Sequence, residues 1–166
     1  MSSEGGMNVL IIHQNYPAQF ARLADALATQ HTVVAIGVGE RPRSVTGRVT
    51  YRSYRQFVSP LEPAFPPLEH LSEHVRRGRA VAEVLRGLKA DGFRPNVVIV
   101  HPAWGEAMFL RDVFPDTAVL AYLEYYYRSV GSDLDFDPEF PVPANDLPYV
   151  RFRNIANGMA FEIADL

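Results

Sequence analysis

Cysteine is absent from the 166 residues. That excludes disulfides and thiolate metal sites and fits a reducing compartment. Basic runs are missing too. The 16 Lys and Arg residues are outnumbered by 19 Asp and Glu, for a net charge of −3, so no positive stripe points to a nucleic-acid partner. No stretch reaches the ~20 apolar residues of a membrane-spanning helix. The first six residues, MSSEGG, have neither the charged region nor the apolar region of a signal peptide. They read as a leader without expected order, ahead of one domain over residues 7–166. The expected location is cytoplasmic, which is compatible with peripheral contact with the inner membrane face. Standard phosphate cradles are also lacking: neither G-x-G-x-x-G nor G-x-x-x-x-G-K-[ST] follows the first apolar run.

What is present is a repeated arrangement. Val9-Leu10-Ile11-Ile12 runs into His13-Gln14-Asn15-Tyr16-Pro17, and Val97-Val98-Ile99-Val100 runs into His101-Pro102-Ala103-Trp104-Gly105-Glu106. Continuous apolar runs of this length suit strands buried on both faces. Strands are expected over residues 8–12, 31–36, 48–54, 97–100 and 117–123, the third a weaker edge strand. Helices are expected over residues 17–29, with Phe20, Leu23, Ala24 and Leu27 on one face, and over 68–89, with Leu71, Val75, Ala82, Leu85 and Leu88 on one face. Two more are expected over 105–113 and 147–166. Residues 58–67, with four prolines, and the acidic, proline-rich residues 131–145 read as loops. Alternating strands and helices imply an α/β, Rossmann-like three-layer domain with a mainly parallel five-stranded sheet in the order 3-2-1-4-5. The order reverses between the first and fourth strands. Ligands of such sheets sit at that switch point, beyond the carboxyl ends of the strands. His13 and His101 are both expected there.

The candidate site residues follow from this placement. His13, Gln14 and Asn15 occupy the first loop; the alternative is that Asn15 caps the helix and His13 bonds locally. In the second loop, Trp104 offers an apolar face suited to the C–H face of a sugar ring. Gly105 shapes the turn and Glu106 opens the helix. Glu124 follows the fifth strand beside Tyr125, where a carboxylate can orient a hydroxyl or accept its proton; the alternative is an ion pair with Arg128 at i+4. His70, Glu73 and His74 match the H-x-x-E-H pattern of a metallopeptidase class. The pattern is short and its helix is expected to lie away from the crevice, so zinc is disfavoured. Asp133, Asp135 and Asp137 fail as a calcium loop, because Pro138 stands where glycine is required and Ala144 where glutamate is. They read as a solvated acidic loop.

Residues 7–20 (MNVLIIHQNYPAQF), 92–112 (GFRPNVVIVHPAWGEAMFLRD), 121–140 (AYLEYYYRSVGSDLDFDPEF) and 151–165 (RFRNIANGMAFEIAD) together resemble the N-terminal domain of family 4 glycosyltransferases. The likeness is to the subgroup with H-Q-N-[FY]-P and H-P-x-W-G-[ED] loops. The resemblance implies one half of a GT-B fold, in which this domain holds the acceptor and a C-terminal domain, absent from this chain, holds a nucleotide-sugar donor. It implies retaining hexosyl transfer without a metal or other cofactor, and a small-molecule or glycan acceptor. By this resemblance, His13, Gln14, Asn15, Trp104, Gly105, Glu106 and Tyr125 bind substrate, with His101 and Glu124 catalytic. Many relatives carry a histidine just after the fifth strand. Here the chain reads Leu123-Glu124-Tyr125, so that role is not carried over, and Glu124 is the candidate to replace it. The fragment alone is expected to be inactive, and the apolar stripe of its last helix (Phe152, Ile155, Met159, Ile163) suggests a homodimer contact. Two other readings are a stand-alone module binding a sugar or sugar phosphate and, more weakly, a zinc hydrolase.

Overall fold

The computed structural model describes residues 5–43, 46–55, 67–128, 131, 134 and 136–166. Five parallel strands form one sheet: β1 (Asn8–Ile12), β2 (Thr32–Val38), β3 (Val49–Tyr54), β4 (Val97–Val100) and β5 (Ala118–Ala121), in the order β3-β2-β1-β4-β5. Ile12 pairs with Ile36 on one side and Val100 on the other, so β1 and β4 end level and their loops emerge side by side.

Strand alternation divides the core. Val9 and Ile11 point to one face and pack with Phe20, Ala24, Val33 and Ile99. Leu10 and Ile12 point to the other and pack with Val81, Leu85, Val98, Leu110 and Val119. The first face is covered by α1 (Ala21–Leu27), the second by α2 (Pro67–Ala90) and α3 (Leu110–Val113). Two further helices, α4 (Leu147–Arg153) and α5 (Ile155–Ile163), pack on α2.

Several expected boundaries shift. The first helix begins as a 3₁₀ turn over Ala18–Phe20, and Leu23 is exposed while Phe20 and Ala24 are buried. The helix expected from residue 105 begins only at Leu110, because Gly105 adopts φ +97° and turns the chain. The last helix is broken at Asn154, and the chain is extended by Ala164. Its stripe of Phe152, Ile155, Met159 and Ile163 is half-buried, and Ile163 packs on the core. The proline-rich residues 58–66, the acidic residues Asp133 and Asp135, and most of the leader lie outside the described residues.

In its N-terminal half, α2 buries His74, Arg77 and Gly78, with Leu71 and Val75 only half-buried. Two glycines set this rotation. A Cβ on Gly78 would lie 2.7 Å from the Gly105 carbonyl oxygen, and a Cβ on Gly105 would run into the His74 backbone. The helix and the loop after β4 therefore touch backbone to backbone, which larger residues would prevent.

Candidate functional site

The loops after β1 and β4 bring three rings together. His101 stacks on Trp104, with centroids 4.5 Å apart and planes at 25°. His13 meets His101 at 5.0 Å and Trp104 edge-on at 5.5 Å. The strand ladder fixes both histidines, since His13 N–H donates to the Ile36 carbonyl and His101 N–H to the Ile12 carbonyl. Beyond β5 the chain turns across this cluster. Glu124 places a carboxylate oxygen 3.4 Å from His101 Nε2, and its side chain remains about half exposed. Glu124 thus faces His101, and residues 122–128 form no helix, so the alternative i+4 pairing with Arg128 has no helical turn to form on.

A cleft of about 520 Å³ opens in front of this pair, with Trp104, Tyr125 and Tyr127 in its walls. Opposite stand His70, Glu73, His74 and Arg77 of α2, together with Arg153. This corrects the expectation that the H-x-x-E-H segment lies away from the crevice. The rotation imposed by Gly78 and Gly105 turns it inward. The zinc reading is not supported: among the described residues, no three His, Asp or Glu side chains are grouped to hold a metal ion.

Both strand-end histidines are held neutral. Burial lowers His13 to about 4, aided by repulsion from His101. Its Nδ1 accepts the Asn15 N–H at 2.9 Å, which leaves the proton on Nε2. Burial also lowers His101, although Glu124 opposes the shift. His74 is likewise lowered to about 4 by burial, then by electrostatic repulsion from Arg77 and His70 beside it.

The other candidates separate. Asn15 is exposed and Gln14 half-buried, and neither lines the cleft. Gly105 is buried against α2 and acts through the backbone. Glu106 is 1% exposed and accepts a 2.8 Å hydrogen bond from the Tyr54 hydroxyl, so it sits in the core behind the cleft. Burial raises its carboxyl pKa. Sequence reasoning missed Asn154 and Asn157, whose side chains bond to the backbone of Tyr127 and Tyr125. The available signal was two asparagines three residues apart, on one side of the expected terminal helix.

A model of the glycosyl transferase family 4 group matches residues 29–166. The chain belongs to this family. The match takes in the His101 loop, Glu124 and both asparagines, and begins after the His13 loop. This family 4 domain also aligns with a solved structure of TcCGT1 in complex with UDP, at 16% identity and a TM-score of 0.45, covering 71% of this chain and 29% of that one. The chain thus spans under a third of that structure's length. No curated protein matches it. No helix among the described residues is long and apolar enough to cross a membrane.

Proposed function

We propose that this domain forms the acceptor side of a retaining glycosyltransferase, which moves a hexosyl group from a nucleotide sugar to a hydroxyl of a small molecule or glycan. The observation that carries this reading is the His101–Trp104–Glu124 cluster, set where the sheet order reverses, in a family 4 chain. Each member has a role that its chemistry supports. Trp104 presents apolar ring surface to a sugar. Glu124 is exposed enough to accept a hydrogen bond from the acceptor hydroxyl. His101, neutral near pH 7, donates from Nε2 and orients that carboxylate. During transfer, the acceptor oxygen forms its bond to the anomeric carbon as the bond to the diphosphate breaks. Glu124 accepts the proton that the hydroxyl loses, and the nucleoside diphosphate departs as the anion.

The donor is assigned to a second α/β unit outside this chain. The loop after β1 has no glycine-rich cradle for a diphosphate, which supports that division. The same feature favours a second reading, a module that binds a sugar or sugar phosphate without turnover.

The test uses the protein that contains this chain. It is incubated with nucleotide sugars and a glycan panel, and products are followed by mass and by the NMR signal of the new anomeric centre. The proposal predicts a hexose gain with retained configuration, and a loss of about 10²-fold or more in Glu124→Ala. Sugar binding without any transfer gives the module reading instead.

A further inference from the structure

The chain after β5 leaves the sheet but remains held. Tyr122 N–H donates to the Val100 carbonyl at 2.8 Å, and Leu123 N–H to the Ala121 carbonyl at 3.1 Å. Beyond Glu124, two side chains from the C-terminal helices bond the backbone of Tyr125 and Tyr127. Asn154, at the junction of α4 and α5, donates from Nδ2 to the Tyr127 carbonyl at 2.6 Å, and its Oδ1 accepts the Tyr127 N–H at 2.9 Å. One primary amide thereby supplies the pair of bonds that a neighbouring strand would offer. Asn157, 1% exposed, donates from Nδ2 to the Tyr125 carbonyl at 2.9 Å.

The two spacings match. Residues 154 and 157 are neighbours on one helical face, and residues 125 and 127 are two apart in a chain without regular structure. Asparagine is a poor helix former, and its buried amide carries a desolvation cost. Glu124 lies between the ladder bond of Tyr122 and the amide bond of Tyr125, so both ends of its short segment are fixed.

We propose that Asn154 and Asn157 are positioning residues, which clamp residues 125–127 to the C-terminal helices and thereby aim the Glu124 carboxylate at His101. Their importance for transfer rests on the function proposed above; the clamp itself does not. It couples the C-terminal helices to the cleft, so a displacement of α4 and α5 carries Glu124 away from the imidazole.

The test is an NMR titration of the His101 imidazole in the chain. His13 and Glu124 adjoin this ring. His70, Glu73, His74 and Arg77 from α2, with Arg153 from α4, face the same cleft. Glu124→Gln removes the only carboxylate that pairs with the ring among the described residues and is expected to lower its midpoint by about half a pH unit. Asn154→Ala, at a half-buried site, is expected to lower it in the same direction and to add nothing in the Glu124→Gln background. A merely structural role would not produce that non-additivity. An unchanged midpoint in a folded Asn154→Ala chain overturns the proposal, as does a shift that persists in full beside Glu124→Gln. Asn157→Ala is the second variant; if its buried site does not tolerate the change, Asn154→Ala alone decides. No sugar enters this titration. A confirmed clamp in a protein that transfers no sugar would remove the proposed function and leave the clamp standing.

Discussion

The ring of His101 lies on the ring of Trp104, 4.5 Å between centroids and 25° from parallel. Trp104 is the chain's single tryptophan, so its fluorescence reports the charge on that histidine, because an imidazolium in contact with indole quenches emission. Burial holds His101 below its ordinary 6.5. Emission is therefore expected to be flat above neutrality and to fall as the pH drops below about 6.5. In His101→Gln this first step should vanish, leaving a smaller one near pH 4 from His13, which meets Trp104 edge-on. An unaltered emission curve in His101→Gln would contradict the stacked geometry.

Acid stability follows from the same burial. His13 and His74 are both lowered to about 4 from 6.5. Between those limits the unfolded chain binds more protons than the folded one, so stability is complete above about pH 6.5 and is lost as the pH falls toward 4. Urea midpoints measured across this range should fall steeply. The double variant His13→Asn, His74→Asn should flatten that slope, whatever it does to stability at neutral pH.

Glu106 behaves in the opposite sense. Burial raises its carboxyl, so the stability linked to it is present at low pH and lost as the pH rises through its folded value. Glu106→Gln keeps the shape and removes the buried charge, so it is expected to be neutral or stabilising at pH 8. Tyr54→Phe leaves the carboxylate without the 2.8 Å hydroxyl bond and should cost about 1–3 kcal/mol. Urea denaturation of the two variants at pH 8 checks both signs.

Gly105 cannot be replaced at low cost. At φ +97° a side chain is strained, and its Cβ would meet the His74 backbone. Gly105→Ala is expected to lose about 2–4 kcal/mol. Gly78→Ala, which meets the Gly105 carbonyl oxygen at 2.7 Å, should lose about 1–3 kcal/mol. Thermal unfolding of both variants measures this, and a control at Gly87, where a Cβ meets nothing within 4 Å, should not be destabilised.

These glycines also explain what was legible in the sequence. The sheet was, because Val9–Ile12 and Val97–Val100 are short, largely β-branched apolar runs without interruption, which suit strands covered on both faces. With the order fixed, the nearness of His13 and His101 followed. The facing of α2 was not legible. Periodicity marks Leu71 and Val75 as inward, but the backbone contact of Gly78 with Gly105 rotates that half of the helix and turns His70, Glu73 and His74 into the cleft. Glu106 was misplaced for a related reason. It was expected among the substrate-binding residues, but the Tyr54 hydroxyl, brought to it from 52 positions away, holds it in the core. The break at Asn154 was hidden because both halves of the last helix carry good apolar spacing, and only the amide's bonds to Tyr127 show why the residue is polar.

In the proposed function, the cleft beside Trp104 and Glu124 receives a sugar. The most direct measurement titrates the chain with a panel of mono- and oligosaccharides, following Trp104 emission and the His101 imidazole signals together. At least one member is expected to shift both signals saturably, with the response lost in Trp104→Ala and weakened in Glu124→Gln. A folded chain whose two signals stay unmoved across the panel, or move equally in Trp104→Ala where the imidazole alone is followed, would contradict it.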